Sequence, residues 1–193
     1  MKEEKGLFKE YNDNKKDIYS SLIETIAGVI PVGLTVKLIE DHQRTTLFNK
    51  LSCFYQNTKD LPKAKHQYVI EKLSASKDFK RKAAELLLEL IDKTVTDSNI
   101  DLLCNLYKNT AEDKISETDF IRLSIALQKC SYTDLISLVD YQNDDPNFTG
   151  RYDGSATDSL YAAGLVYQHV IGSPILYKVN NLGADMLRYG IIG

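Results

Sequence analysis

Apolar residues spaced three and four apart run through most of this chain, most cleanly at Phe79, Ala83, Leu86, Leu87 and Leu90. That interval is the repeat of one helical face, so it predicts an amphipathic helix there and a helical body around it. Leu47, Phe48, Leu51, Phe54 and Tyr55 predict an earlier helix. Leu61-Pro62 closes it, because proline cannot continue a helix interior. Tyr68, Val69 and Leu73 begin another apolar face. Ile100, Leu103, Cys104 and Tyr107 form a shorter one after the polar start Thr96-Asp97-Ser98-Asn99. Ser116-x-x-Asp119, Ser131-x-x-Asp134 and Ser155-x-x-Asp158 each set a hydroxyl and a carboxylate three residues apart. The hydroxyl accepts from an orphan amide of the first turn and the carboxylate suits the positive helix end, which predicts helices beginning near residues 117, 132 and 156.

The pattern changes after Tyr141. Residues 142–154, QNDDPNFTGRYDG, are polar and turn-rich and predict a loop. A helix from about Ala156 to Ala163 follows, with Gly164 as its C-terminal cap. Leu165, Tyr167 and His169 then alternate as in a strand, Ile171-Gly172-Ser173-Pro174 makes a turn, and Leu176, Tyr177 and Val179 mark the returning strand. Asn180 or Asn181 caps a last helix carrying Leu182, Met186, Leu187 and Tyr189. The expected fold is therefore mainly α: a helical bundle body over residues 1–141 (its first 17 residues a polar arm), a loop over 142–154, and a small winged-helix-like unit over 155–193 with a two-stranded β-hairpin.

Two resemblances rest on these residues. LYAAGLV (160–166) and ILYKVNNLGADML (175–187) resemble a common winged-helix ending, with Tyr177, Leu182, Gly183 and Leu187 in the matching places and Asn180 and Asn181 where threonine usually caps. Across residues 22–190 the chain resembles a loose group of small bacterial and phage helical proteins of unknown function. That likeness is carried by Pro31 and Gly33, FNKLSCF (48–54), ELLLELIDK (85–93), KISETDFIRLSIAL (114–127), and Asp134, Leu135 and Leu138. It is also faintly similar to the α-type abortive-infection proteins, which implies a link to phage–host conflict.

Catalytic motifs are scarce. His42, His66 and His169 follow no metal-ligand spacing, and no nucleophile elbow, phosphate loop or dinucleotide fingerprint occurs. Asp97-Ser98-Asn99-Ile100-Asp101 starts like a calcium loop, but Leu102 stands where the bend needs glycine and Lys108 where a bidentate glutamate belongs. Asp144, Asp145 and Asp153 read as solvated loop charge. Cys53, Cys104 and Cys130 are odd in number, lack Cys-x-x-Cys pairing and lie in apolar patterns, so buried structural thiols in a reducing cytoplasm are expected. No enzyme, cofactor or metal is expected.

Charge and apolarity leave three functional classes. Residues 59–82 hold eight Lys and Arg against three acids, with Lys72, Lys77, Lys80, Arg81 and Lys82 as a candidate basic surface for nucleic acid or an acidic partner. Leu22 to Ile39 is an apolar stretch broken by Pro31, expected as a buried hairpin and alternatively as a membrane-inserting element of an abortive-infection effector. Residues 131–193 carry Arg151, Lys178 and Arg188 against seven aspartates, so the winged end lacks the cations that draw DNA phosphates. A DNA-binding transcriptional regulator is thus the alternative. The leading expectation is a non-enzymatic protein-interaction or regulatory module, with Tyr152, Tyr161 and Tyr167 as aromatic anchors for a protein partner.

Overall fold

Each run of apolar residues spaced three and four apart that falls among the described residues lies in a helix. The computed structural model describes residues 44–73, 80–94, 96–142, 151–152, 154, 156–170 and 175–192. The Leu22–Ile39 segment, His42 and the polar arm lie outside them. Helices α1 (Arg44–Thr58) and α2 (Lys63–Leu73) are separated by the turn at Leu61-Pro62, and α3 spans Lys80–Lys93. There follow α4 (Asp97–Ala111), α5 (Glu117–Leu127), α6 (Tyr132–Ile136) and a 3-10 turn over Ser137–Tyr141. Strand β1 (Arg151–Tyr152), helix α7 (Thr157–Ala162), strands β2 (Val166–Val170) and β3 (Ile175–Val179), and helix α8 (Asn181–Asp185) complete the order. Helix α8 widens into a π-helical turn over Met186–Ile191.

By its internal contacts the chain divides between Leu87 and Leu88, inside α3, into two compact units. In the first, Leu47, Leu51 and Phe54 of α1, Val69 and Ile70 of α2, and Ala83 and Leu87 of α3 are buried. Burial of such side chains is worth about 1.5–3 kcal/mol each, which is why a short amphipathic helix holds in this setting but not in isolation.

The second unit joins α4–α6 to the hairpin. Its core is Ile100, Leu103, Leu106 and Tyr107 of α4, Phe120, Leu123 and Leu127 of α5, then Leu135, Leu138, Leu160, Leu165, Met186 and Leu187. Tyr107 and Phe120 meet edge to face, with centroids 6.2 Å apart. Residues 155–193 by themselves are too few to bury such a face, so α4 supplies one wall, packing against both α5 and the π-helical turn.

Local chemistry sets the helix starts. Thr96 caps α4 by accepting from the Asn99 amide, and Ser116 caps α5 by accepting from that of Asp119. Ser131 and Asp134 complete a reciprocal capping box on α6. Ser155 lies outside the described residues, and α7 departs from the expected box. Ala156 is its N-cap without a side-chain bond, and the Thr157 hydroxyl accepts from the Gly154 amide instead. At the other end Gly164 takes φ +74°, and the Leu165 amide reaches back to the Leu160 carbonyl, as the glycine cap requires.

Strands β2 and β3 pair antiparallel from Val166–Val179 to Val170–Ile175. The structure adds a strand to the expected two: β1, at the end of the stretch read as loop, pairs with β3 through Arg151–Tyr177 and Tyr152–Leu176, in the order β1-β3-β2. A two-residue strand has no periodicity of its own to announce it. The alternation of Leu165, Tyr167 and His169 is also corrected, because Leu165 is buried while Tyr167 is exposed. Leu165 precedes the strand, in the turn that leaves α7, and its carbonyl accepts from the Asn180 amide.

Candidate partner-docking surface

Asn180 and Gly183 build the centre of the second unit's hairpin end. The Asn180 side chain accepts from the Gly183 amide at 2.9 Å and donates to the Gly164 carbonyl at 2.7 Å, so one amide group caps α8 and ties it to the exit of α7. A Cβ on Gly183 would stand 2.1 Å from the Leu165 carbonyl oxygen and 2.5 Å from Val179 Cγ2. Beside this close approach lies a polar cleft of about 540 Å3 lined by Asp119 and Arg122 of α5, Tyr167 of β2, and Asn180, Asn181 and Asp185 at α8.

The charges in that cleft are uneven. Asp119 accepts from the Ser116 hydroxyl at 2.7 Å, and its other oxygen stands 3.8 Å from Arg122 Nη1. The described residues give the Asp185 carboxyl no hydrogen bond. Burial first, and the negative charge of Asp119 second, push that carboxyl above its ordinary range, with Arg188 pulling the other way.

Two tyrosines among the sequence candidates reach the surface. Tyr161 on α7 is 53% exposed and meets Tyr177 edge to face at 6.0 Å. Tyr167 on β2 is 43% exposed, lies against His169 and forms part of the cleft wall. Tyr152 stands in β1, and its side chain lies outside what the structure describes. Sequence spacing missed a further group: Tyr132 and Ile136 on α6 and Val139 on the 3-10 turn are exposed at intervals of four and three. Helix α6 packs beside α7, so this stripe neighbours the helix that carries Tyr161. Ile125, Ile175 and Ile192 are exposed as well, and every large apolar side chain that stands exposed among the described residues belongs to the second unit.

The basic candidates behave differently. Lys72 lies over the Tyr68 ring at 4.9 Å, with Lys65 on the same ring at 5.7 Å, so both cations rest on an aromatic face within α2. Lys80, Arg81 and Lys82 form the first turn of α3, their side chains outside the description, as is all of Lys77. His66 is buried against the backbone of Thr58 and Leu61, and desolvation outweighs those bonds to lower its pKa. Cys104 and Cys130 are buried as expected, whereas Cys53 is half-buried and takes a contact from the Asn57 amide. Burial, with Asp134 adding to it against Lys129, pushes the Cys130 thiol up to about 12. Such a thiol is a poor nucleophile.

The calcium-like stretch is structural. Asn99 is fully buried and its side-chain amide donates to the Leu127 and Cys130 carbonyls, both at 3.1 Å, closing the end of α5 onto α4. Asn105 and Asn109, one turn apart on α4, donate to the Gly190 and Tyr189 carbonyls at 2.8 and 3.1 Å and hold the π-helical turn. Among the described residues no group of three His, Cys, Asp or Glu side chains is placed to hold a metal ion. None of the described helices is long and apolar enough to cross a membrane. Compared with known protein families, with characterised proteins and with solved structures, the chain matches none.

Proposed function

We propose that this chain is a non-enzymatic protein-interaction module whose second unit docks a protein partner. The observation that carries this reading is the confinement of exposed large apolar side chains, among the described residues, to that unit, around Tyr132, Ile136, Val139, Tyr161 and Tyr167. Single exposed apolar residues are ordinary, but a spaced aromatic and aliphatic set beside a closed core is the usual composition of an interface anchor. DNA is a poor ligand for this surface, because the described exposed residues of α7 are Asp158, Tyr161 and Ala162, with no cation among them. Three cysteines that form no disulfide suit a cytoplasmic setting. A role in phage–host conflict rests on the resemblance of the apolar pattern alone.

The test is site-specific photocrosslinking in the native host. A photoreactive phenylalanine analogue placed at Tyr161, or at Tyr132 on the neighbouring stripe, is expected to capture the same protein from either position, while one at exposed Lys93 captures none. Uncrosslinked chain at both tyrosines would overturn the proposal.

A further inference from the structure

The two units carry opposite charge. Residues 1–87 hold sixteen Lys and Arg against twelve acids, and residues 88–193 hold eight against fifteen, a formal balance of −7 for the second unit. The unit that carries the exposed large apolar side chains among the described residues is therefore the acidic one. A surface of that sign steers cationic partners toward it and rejects acidic ones.

The cleft between α5, β2 and α8 is where this charge meets an aromatic wall. Asp119 and Asp185 both line it, Tyr167 offers an exposed ring, and Asn180 and Asn181 add polar lining. Its volume of about 540 Å3 exceeds what one long side chain needs. Two of the chain's own cations act there: Arg122 lines the cleft beside Asp119, and Arg188 lies near enough to Asp185 to favour its ionised form. Formally they balance the two carboxylates, but Arg122 stands 3.8 Å from Asp119, beyond hydrogen-bond distance. Asp185 takes no hydrogen bond among the described residues, so both carboxylates keep acceptor capacity for an incoming donor.

We infer that the partner presents a basic segment, and that this cleft receives an arginine or lysine side chain from it, between the Asp185 and Asp119 carboxylates and against the Tyr167 ring. A guanidinium is the better fit, because it meets a carboxylate with two parallel donors and stacks on an aromatic face. Bringing a cation beside Asp185 also relieves the repulsion that burial and Asp119 impose on its ionised form. The inference rests on the docking reading and sharpens it by naming the partner's chemistry.

A displayed random peptide library selected against the immobilised full chain separates the two claims. Enrichment of peptides rich in Arg and Lys is expected, with binding that weakens as salt is raised. Asp185→Asn is expected to weaken the selected peptides by roughly tenfold, the scale of one lost charge-assisted pair. It removes a charge that burial already disfavours, so folding is preserved. Tyr167→Phe keeps binding and Tyr167→Ser loses it, since phenylalanine retains the ring face. Enriched peptides that are neutral or acidic, or basic ones indifferent to Asp185→Asn, overturn the charge inference while the docking proposal stands. No enrichment together with no crosslink at the tyrosines overturns both.

Discussion

Replacing Asn99 by aspartate changes one NH2 group to oxygen at nearly constant volume, and the structure makes that change strongly destabilising. Asn99 is fully buried and donates both of its amide hydrogens, to the Leu127 and Cys130 carbonyls at 3.1 Å each. Its own carbonyl oxygen has no hydrogen-bond partner among the described residues. An ionised carboxyl would set negative oxygen against two carbonyl oxygens, so the introduced group keeps its proton in the fold and donates to one of them. One hydrogen bond is lost, at about 1 kcal/mol, and one buried carbonyl is orphaned, at about 1–3 kcal/mol. Holding the proton costs about 1.4 kcal/mol more for each pH unit above roughly 3.9, until the folded pKa is passed. With the proton held to neutral pH, about three units above 3.9, that cost is about 4 kcal/mol and the total about 6–8 kcal/mol, against about 5–15 kcal/mol for a whole domain.

The pH sign follows from the direction of the shift. The introduced carboxyl ionises near 3.9 in the unfolded chain and at higher pH in the fold, so the deficit grows as pH rises from about 4 and then levels off. Asn99→Ala loses both bonds but titrates nothing, so its deficit is flat with pH. The chain has no tryptophan, so urea unfolding is followed by far-ultraviolet circular dichroism at pH 4.5 and pH 8 (roughly either side of the range that matters). Equal stability of Asn99→Asp and the parent chain at pH 8, or a deficit that shrinks as pH rises, would refute the assignment of Asn99 as a double donor.

Two further expectations concern the same framework and the first unit. Gly183→Ala places a methyl 2.1 Å from the Leu165 carbonyl oxygen, and backbone cannot yield as a side chain would, so the second unit loses about 3 kcal/mol and melts at a clearly lower temperature. An unchanged melting midpoint would contradict the close approach of α8 to the α7 exit. His66, whose folded pKa is lowered by burial, binds its proton more readily in the unfolded chain. The first unit therefore loses stability as pH falls from about 6.5 toward the folded pKa and goes on losing it until the folded form is protonated as well. A His66 imidazole that titrates by NMR at or above the free value would refute this.

What the sequence reveals and what it hides divide along the distance between interacting residues. Thr96, Ser116, Ser131 and Asn180 cap helices through bonds only three residues long, so a hydroxyl or amide before an apolar run is sufficient notice. Gly164 is legible for the same reason. The start of α7 is not, because the hydroxyl that takes the Gly154 amide belongs to Thr157, already inside the helix. Asn99, Asn105 and Asn109 pass for polar helix-face residues, since their acceptors stand 28 to 85 residues away. Likewise Tyr132, Ile136 and Val139 have the spacing of a core face, and only tertiary packing decides that Leu135 and Leu138 turn inward instead. The meeting of Asp119 with Asp185 in one cleft belongs to that same long-range layer.

The pair of asparagines on α4 also orders the protein in time. Asn105 and Asn109 wait for carbonyls that lie 85 and 80 positions downstream. During synthesis the helices up to α6 can form while the chain is still growing, but the wall that α4 offers to the π-helical turn stays wet until Gly190 has been made. Closing so long a loop is slow compared with winding a helix. The nascent second unit thus passes through a stage in which Leu106 and its neighbours are uncovered, and its vulnerability to proteases and to premature association is concentrated there.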